Sequence, residues 1–136
     1  MKSAAPMTHE NALLEAYQDW RRLAQLEGEG IRTSDWPLVT DCQNRLAALQ
    51  TRIIRLTTNA REEWRRNGAN LAQKEENLRQ TVSSLMELEM ENSASLSATK
   101  EIARTQLNQL HAVRQNLKRV QRSYSSVLST GWNSFS

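Results

Sequence analysis

The stretch Thr33–Gly68, TSDWPLVTDCQNRLAALQTRIIRLTTNAREEWRRNG, decides how this chain folds. It opens with Thr33-Ser34-Asp35-Trp36-Pro37. Ser34 or Asp35 can cap free backbone N–H groups, an acidic side chain suits the positive end of a helix, and Pro37 is tolerated in a first turn. Leu38, Cys42, Leu46, Leu49, Ile53, Leu56, Ala60 and Trp64 follow at steps of 4, 4, 3, 4, 3, 4 and 4. That period is helical and close to a heptad. Asn67-Gly68 then predicts a short helix–helix connection. About thirty residues of helix, roughly 45 Å, are thus bracketed by their own start and stop signals.

Upstream, Leu13, Tyr17, Trp20 and Leu23/Ala24 repeat at helical spacing between His9 and Glu27. Gly28 and Gly30 predict the stop of this first helix. Residues 1–8 are expected to be disordered, with Thr8 as the N-cap. Downstream, Leu71, Leu78, Val82, Leu85 and Leu88 resume the pattern, and Leu96, Ile102, Leu110, Val113, Leu117, Val120, Tyr124 and Val127 extend it. Asn92, Thr99 and Gln106 dilute it. Asn92-Ser93-Ala94-Ser95 marks a place for a kink, because Ser and Asn are weak helix formers. The favoured reading is one helix from about residue 70 to 127, roughly 85 Å long. The fold class is therefore all-α: an elongated antiparallel helical hairpin or three-helix bundle with a long C-terminal helix. A single helical domain is expected over 9–128, followed by a flexible aromatic tail, 129–136.

The second helix turns back at Asn67-Gly68, so it can cover only the first half of the third. The first helix either lies along the second, or runs ahead of it in line and covers the remainder. In both arrangements the apolar residues beyond about residue 100 lack full shelter. Burial of apolar surface is worth about 25 cal/mol per Å², and large exposed apolar patches mark interaction sites.

Composition sets the outer bounds. The 136 residues include four Gly and two Pro, and 38% are hydrophobic, which suits a helical domain with narrow apolar seams. No long apolar run or signal-peptide pattern occurs, so no membrane insertion is expected. Cys42, the one cysteine, is expected to be a buried seam thiol in a reducing cytoplasm. His9 and His111 are isolated, and no metal-ligand spacing, phosphate-binding glycine loop or nucleophile elbow is present. The chain is therefore not expected to be an enzyme, nor to use a metal, cofactor or small-molecule substrate. Glu62-Glu63 and Glu75-Glu76 are carboxylate pairs of the kind that exposed helix faces carry.

Charge is unevenly spread. No acidic residue follows Glu101, while Arg104, Arg114, Lys118, Arg119 and Arg122 are basic. Solvated helix faces, an acidic partner and nucleic acid all fit such a distribution. Arg114, Lys118 and Arg122 form an i, i+4, i+8 row. No recognition motif or stacking platform accompanies it, so nucleic acid is the least favoured of the three. Trp20, Trp36 and Trp64 are expected in the core. Tyr124, Trp132 and Phe135 are three of seven aromatic residues and stand among serines. The tail either folds back on the bundle or docks into a partner. Docking through Trp132 and Phe135 is the preferred reading, since aromatic anchors dominate interfaces.

The first helix ending in Gly, the opening Ser34-Asp35-Trp36, and the seam Cys42-Gln43-Asn44-Arg45-Leu46-Ala47-Ala48-Leu49-Gln50-Thr51-Arg52-Ile53 together resemble the FlgN/FliT-type flagellar export chaperones. The stretch Leu85-Met86-Glu87-Leu88-Glu89-Met90-Glu91-Asn92, with Leu96, Leu107, Leu110, Leu117 and Tyr124, resembles that family's C-terminal helix. The resemblance covers about residues 10–128. It implies a small, non-catalytic cytoplasmic chaperone that binds C-terminal amphipathic helices of hook-associated or cap proteins and delivers them to the export gate. Leu107, Leu110, Val113, Leu117 and Val120 would face the client, and Tyr124 would engage the membrane export component. The alternatives are a structural coiled-coil protein that homodimerises through the same seam and, less favoured, a nucleic-acid-associated helical protein.

Overall fold

A computed structural model describes the backbone of residues 8–132 and the side chains of residues 8–123. Three helices follow one another: α1 (Thr8–Thr33), α2 (Trp36–Arg66) and α3 (Leu71–Trp132). The described residues contain no strand, so the chain is all-α with a long C-terminal helix, as the seam spacing predicts. Thr8 is the first residue of α1, and the remainder of the expected disordered N-terminus lies outside the described residues. The backbone of α3 includes Gly131, so the helix passes residue 127, where the sequence pattern ends, and continues into the expected tail, 129–136.

α2 begins as its sequence dictates. Asp35 Oδ1 accepts the Leu38 N–H at 3.2 Å, and Pro37 occupies the first turn. Its buried stripe is Val39, Cys42, Leu46, Leu49, Ile53, Leu56, Ala60 and Trp64, with Leu38 half-buried beside Val39. Trp20 and Trp64 are core residues. Trp36 is not: it is 41% exposed on the first turn of α2, and Val39 packs against Gly30 instead.

The end of α1 differs from expectation. Gly28 and Gly30 lie inside the helix, both buried. The stop comes at Ser34, whose φ of 58° is left-handed. Asp35 N–H donates to Gly30 O at 2.8 Å and Ser34 N–H to Ile31 O at 3.2 Å, the paired bonds of a Schellman motif. The two glycines serve packing rather than termination. A Cβ on Gly28 would lie 2.7 Å from Asn92 Oδ1, and one on Gly30 would lie 3.0 Å from Val39 Cγ2. Close approach explains why α1 carries glycines that each weaken a helix interior by about 0.5–1 kcal/mol. α2 ends in the same motif, with Gly68 at φ 65°, Ala69 N–H on Trp64 O at 3.0 Å and Gly68 N–H on Arg65 O at 3.4 Å.

Side-chain bonds fix the helix directions. Glu63 accepts the His9 and Glu10 N–H groups, and Gln43 donates to Glu27, so α1 and α2 are antiparallel. Glu10–Lys74, Arg21–Ser84 and Ala24–Asn92 ascend together, so α1 runs parallel to the first half of α3. Arg61–Glu75 joins antiparallel α2 and α3. The first helix therefore lies along the second and does not run ahead of it. Leu13, Tyr17, Trp20, Leu46, Ile53, Leu56, Trp64, Leu78 and Leu85 form the core with several alanines.

Two compact units divide α3 between Leu96 and Ser97, just after the stretch marked for a kink, and the helix is continuous through that stretch. The first unit is the three-helix bundle. In the second, every described side chain from Lys100 to Ser123 is exposed.

Candidate functional site

The sequence-predicted client residues lie together in the second unit. Leu107, Leu110, Val113, Leu117 and Val120 recur at steps of 3, 3, 4 and 3 on one face of α3. With Ile102 they are between 48% and 59% exposed, the lower bound at Leu110 and the upper at Ile102. These six side chains, each half open to solvent, fall on one broad face and make an apolar strip that Gln106 interrupts between Ile102 and Leu110. The side chains of Tyr124 and Trp132, and the whole of Phe135, lie outside the described residues.

The bundle carries a second apolar surface that sequence reasoning missed. A groove of about 970 Å³ opens between α2 and α3. Tyr17 and Trp20 of α1 line it, together with Ile53 and Ile54 of α2 and Leu78, Val82, Met86 and Met90 of α3. Ile54, Met86 and Met90 are exposed. Three helices supply these residues, so no single-segment pattern reveals the groove. The available hint was Ile54, an aliphatic residue beside the α2 seam rather than in it.

Polar groups in the groove are incompletely satisfied. Trp20 Nε1 and Glu89 Oε1 are buried without a hydrogen bond of good geometry. Burial pushes the Glu89 carboxyl up, the Glu27 carboxylate adds to the rise, and the nearby Trp20 indole opposes it. On the rim, Arg61 holds Glu75 by two bonds of 2.7 and 2.9 Å. That contact keeps the Glu75 carboxyl below its usual range.

The remaining carboxylates that drew attention are structural. Glu63 accepts His9 N–H at 3.1 Å and Glu10 N–H at 2.9 Å, so it caps α1 from the neighbouring helix in the role expected of Thr8. Burial raises the Glu63 carboxyl, but the two N–H groups prevail and hold it below its usual range. Glu62 pairs with Arg65, and Glu76 with Arg79. Glu10 takes the Trp64 indole N–H at 2.5 Å and Lys74 Nζ at 2.7 Å, while Lys74 also lies 5.7 Å from the Trp64 ring centre. Cys42 is buried, and burial followed by Asp41 and Glu27 pushes its thiol up. His111 is exposed, with no cysteine or carboxylate adjoining it in sequence.

Among the described residues, no group of three or more His, Cys, Asp or Glu side chains could hold a metal ion, and no helix is long and apolar enough to cross a membrane. No family model, curated protein or solved structure matches this chain.

Proposed function

We propose that this chain is a non-catalytic helix-binding protein, an export chaperone or adaptor that works in the cytoplasm. One observation carries the reading: the strip from Ile102 to Val120 keeps about half of each apolar side chain in water over some five helical turns. An amphipathic helix from a partner is the natural cover for such a surface. Fully burying one such side chain contributes about 1.5–3 kcal/mol. Covering the exposed half of six therefore contributes roughly 5–9 kcal/mol. The seam of the client helix is buried at the same time and adds a comparable amount, while association costs about 4–15 kcal/mol. Weak, reversible contact results, which suits a protein that must release what it carries.

The resemblance to FlgN/FliT-type chaperones gives the reading its flagellar form. The clients are then C-terminal helices of hook-associated or cap proteins, Tyr124 engages the export apparatus, and Trp132 and Phe135 anchor a docking tail. Synthetic C-terminal helices of those proteins should bind the full chain with a Kd near about 10 µM. Absence of binding to any of them at tenfold higher concentration would remove the flagellar assignment.

A coiled-coil dimer is the second reading, favoured by the alternating steps of Leu110, Val113, Leu117 and Val120. Sedimentation separates the two. A tight dimer at nanomolar concentration supports the coiled coil, whereas a monomer, or a dimer dissolved by a client peptide, supports the adaptor.

A further inference from the structure

Glu89 stands where the apolar seam of α3 calls for an aliphatic side chain. Glu75, Leu78, Val82, Met86, Glu89 and Ser93 follow one another at steps of 3, 4, 4, 3 and 4 and form the α3 wall of the groove between α2 and α3. That wall runs for about 27 Å, or five turns of helix. Its two carboxylates are in different situations. Glu75 is held by Arg61, and Arg79, the other cation that lines the groove, is held by Glu76. Glu89 forms no ion pair among the described residues. Its Oε1 is buried without a hydrogen bond, and so is Nε1 of Trp20, a groove residue only 7% exposed. From α1 the charge that acts on Glu89 is a second carboxylate, Glu27, which is bonded by the Gln43 and Asn92 amides and by no cation. Burial and Glu27 together push the Glu89 carboxyl up. A charge kept against such a penalty is the mark of a binding site more than of a scaffold.

We propose that this groove takes an amphipathic helix that carries a lysine or arginine within its aliphatic seam, set against Glu89. The site lies wholly in the first unit and does not depend on the exposed strip of the second. Charge and length select the occupant. An uncharged helix would shut Glu89 away from water with no counter-charge, and an acidic one would add a further carboxylate. An alkylammonium ion would meet Glu89 but leave most of a five-turn wall in water. The exposed Met86 and Met90 have the adaptable thioether side chains that suit a helix-binding surface.

Binding should be measured on the full chain with three synthetic amphipathic peptides of about 20 residues, some 30 Å of helix. They share one leucine seam and differ at a single central seam position, which is Lys, norleucine or Glu. The Lys peptide should bind about tenfold more tightly than the norleucine peptide, and the Glu peptide most weakly. Glu89→Gln should remove the preference for Lys with its helical circular dichroism unchanged. Met90→Glu and Ile54→Glu change side chains that are 68% and 71% exposed, so the fold should survive while all three peptides lose affinity at least tenfold. Equal affinity for the three peptides, or a Lys preference that persists in Glu89→Gln, overturns the cation-bearing helix. Binding that survives both Met90→Glu and Ile54→Glu belongs to another surface and overturns the groove as the site. Decylamine bound where no peptide binds would assign the groove to a small amphiphile. A dimer of the native chain that Met90→Glu dissolves would assign it to a second copy. Either result overturns the proposal, and neither bears on helix binding by the strip.

Discussion

Asn92 of α3 donates through Nδ2 to the Ala24 backbone oxygen of α1 at 2.7 Å, one turn before Gly28, whose missing Cβ makes room for Asn92 Oδ1. The same amide lies 3.3 Å from Glu27 Oε1, so the bond closes a buried polar cluster at the far end of the bundle. Gly28→Ala alone would improve helix propensity by about 0.5–1 kcal/mol but force Asn92 off its acceptor. A net loss of about 1 kcal/mol is expected in the native background, and a gain in the Asn92→Ala background. A double-mutant cycle by urea denaturation should return a coupling of about 1–2 kcal/mol. Additivity would show that the pair does not interact.

Ser34 and Gly68 occupy the same left-handed position at the ends of α1 and α2, with φ values of 58° and 65°. Ser34→Gly should therefore raise stability by about 0.5–1 kcal/mol, and Gly68→Ala should lower it by about 1 kcal/mol. Nothing lies within 4 Å of a Cβ at Gly68, so that loss would be purely conformational. Thermal melts of the two variants should move in opposite directions.

Glu63 gives the bundle an acid-sensitive cap. Its folded carboxyl titrates below the ordinary range. Its contribution is thus complete above the unfolded value of about 4.3 and lost as pH falls through the lower folded value. Glu63→Gln should lower stability at pH 7 by about 1 kcal/mol and flatten the stability–pH curve below about pH 4.5. A curve parallel to that of the native protein would show that the cap contributes nothing.

Glu89 behaves oppositely. Its carboxyl is raised by burial and by Glu27, so the folded state favours the neutral form. Stability therefore falls as pH rises from the unfolded value of about 4.3 through the higher folded one. Glu89→Gln should raise stability at pH 7 by up to about 1 kcal/mol, or a few degrees in Tm, with no gain at pH 4. An unchanged Tm at pH 7 would contradict the desolvation penalty.

Leucines of the two units should part company in mutagenesis. Leu85 is fully buried, and Leu85→Ala should cost about 2–5 kcal/mol. Leu110→Ala/Leu117→Ala removes side chains about half exposed and should change Tm by under about 2 °C while weakening a bound helix at least tenfold. A large loss of Tm in the double variant would show the strip already covered.

Much of the architecture was written in local order. The α2 seam from Cys42 to Trp64 is buried at every position that its spacing marks, because a helix of fixed pitch turns a 3/4 repeat into one face. Asp35 caps and Gly68 stops for reasons internal to a few residues. The exposed strip from Ile102 to Val120 was legible in the same way. Other features were not local. Gly28 and Gly30 resemble a stop, and only Asn92 and Val39 packing against them make them contact points inside a helix. Glu63 caps a helix more than fifty residues away, and the groove beneath Ile54, Met86 and Met90 exists because three helices meet there. The sequence by itself determined periodicity and most of the ends, since these depend on neighbours along the chain. Tertiary structure decided which glycines pack, which carboxylates bond and where a groove opens, because those depend on side chains that only folding brings within reach.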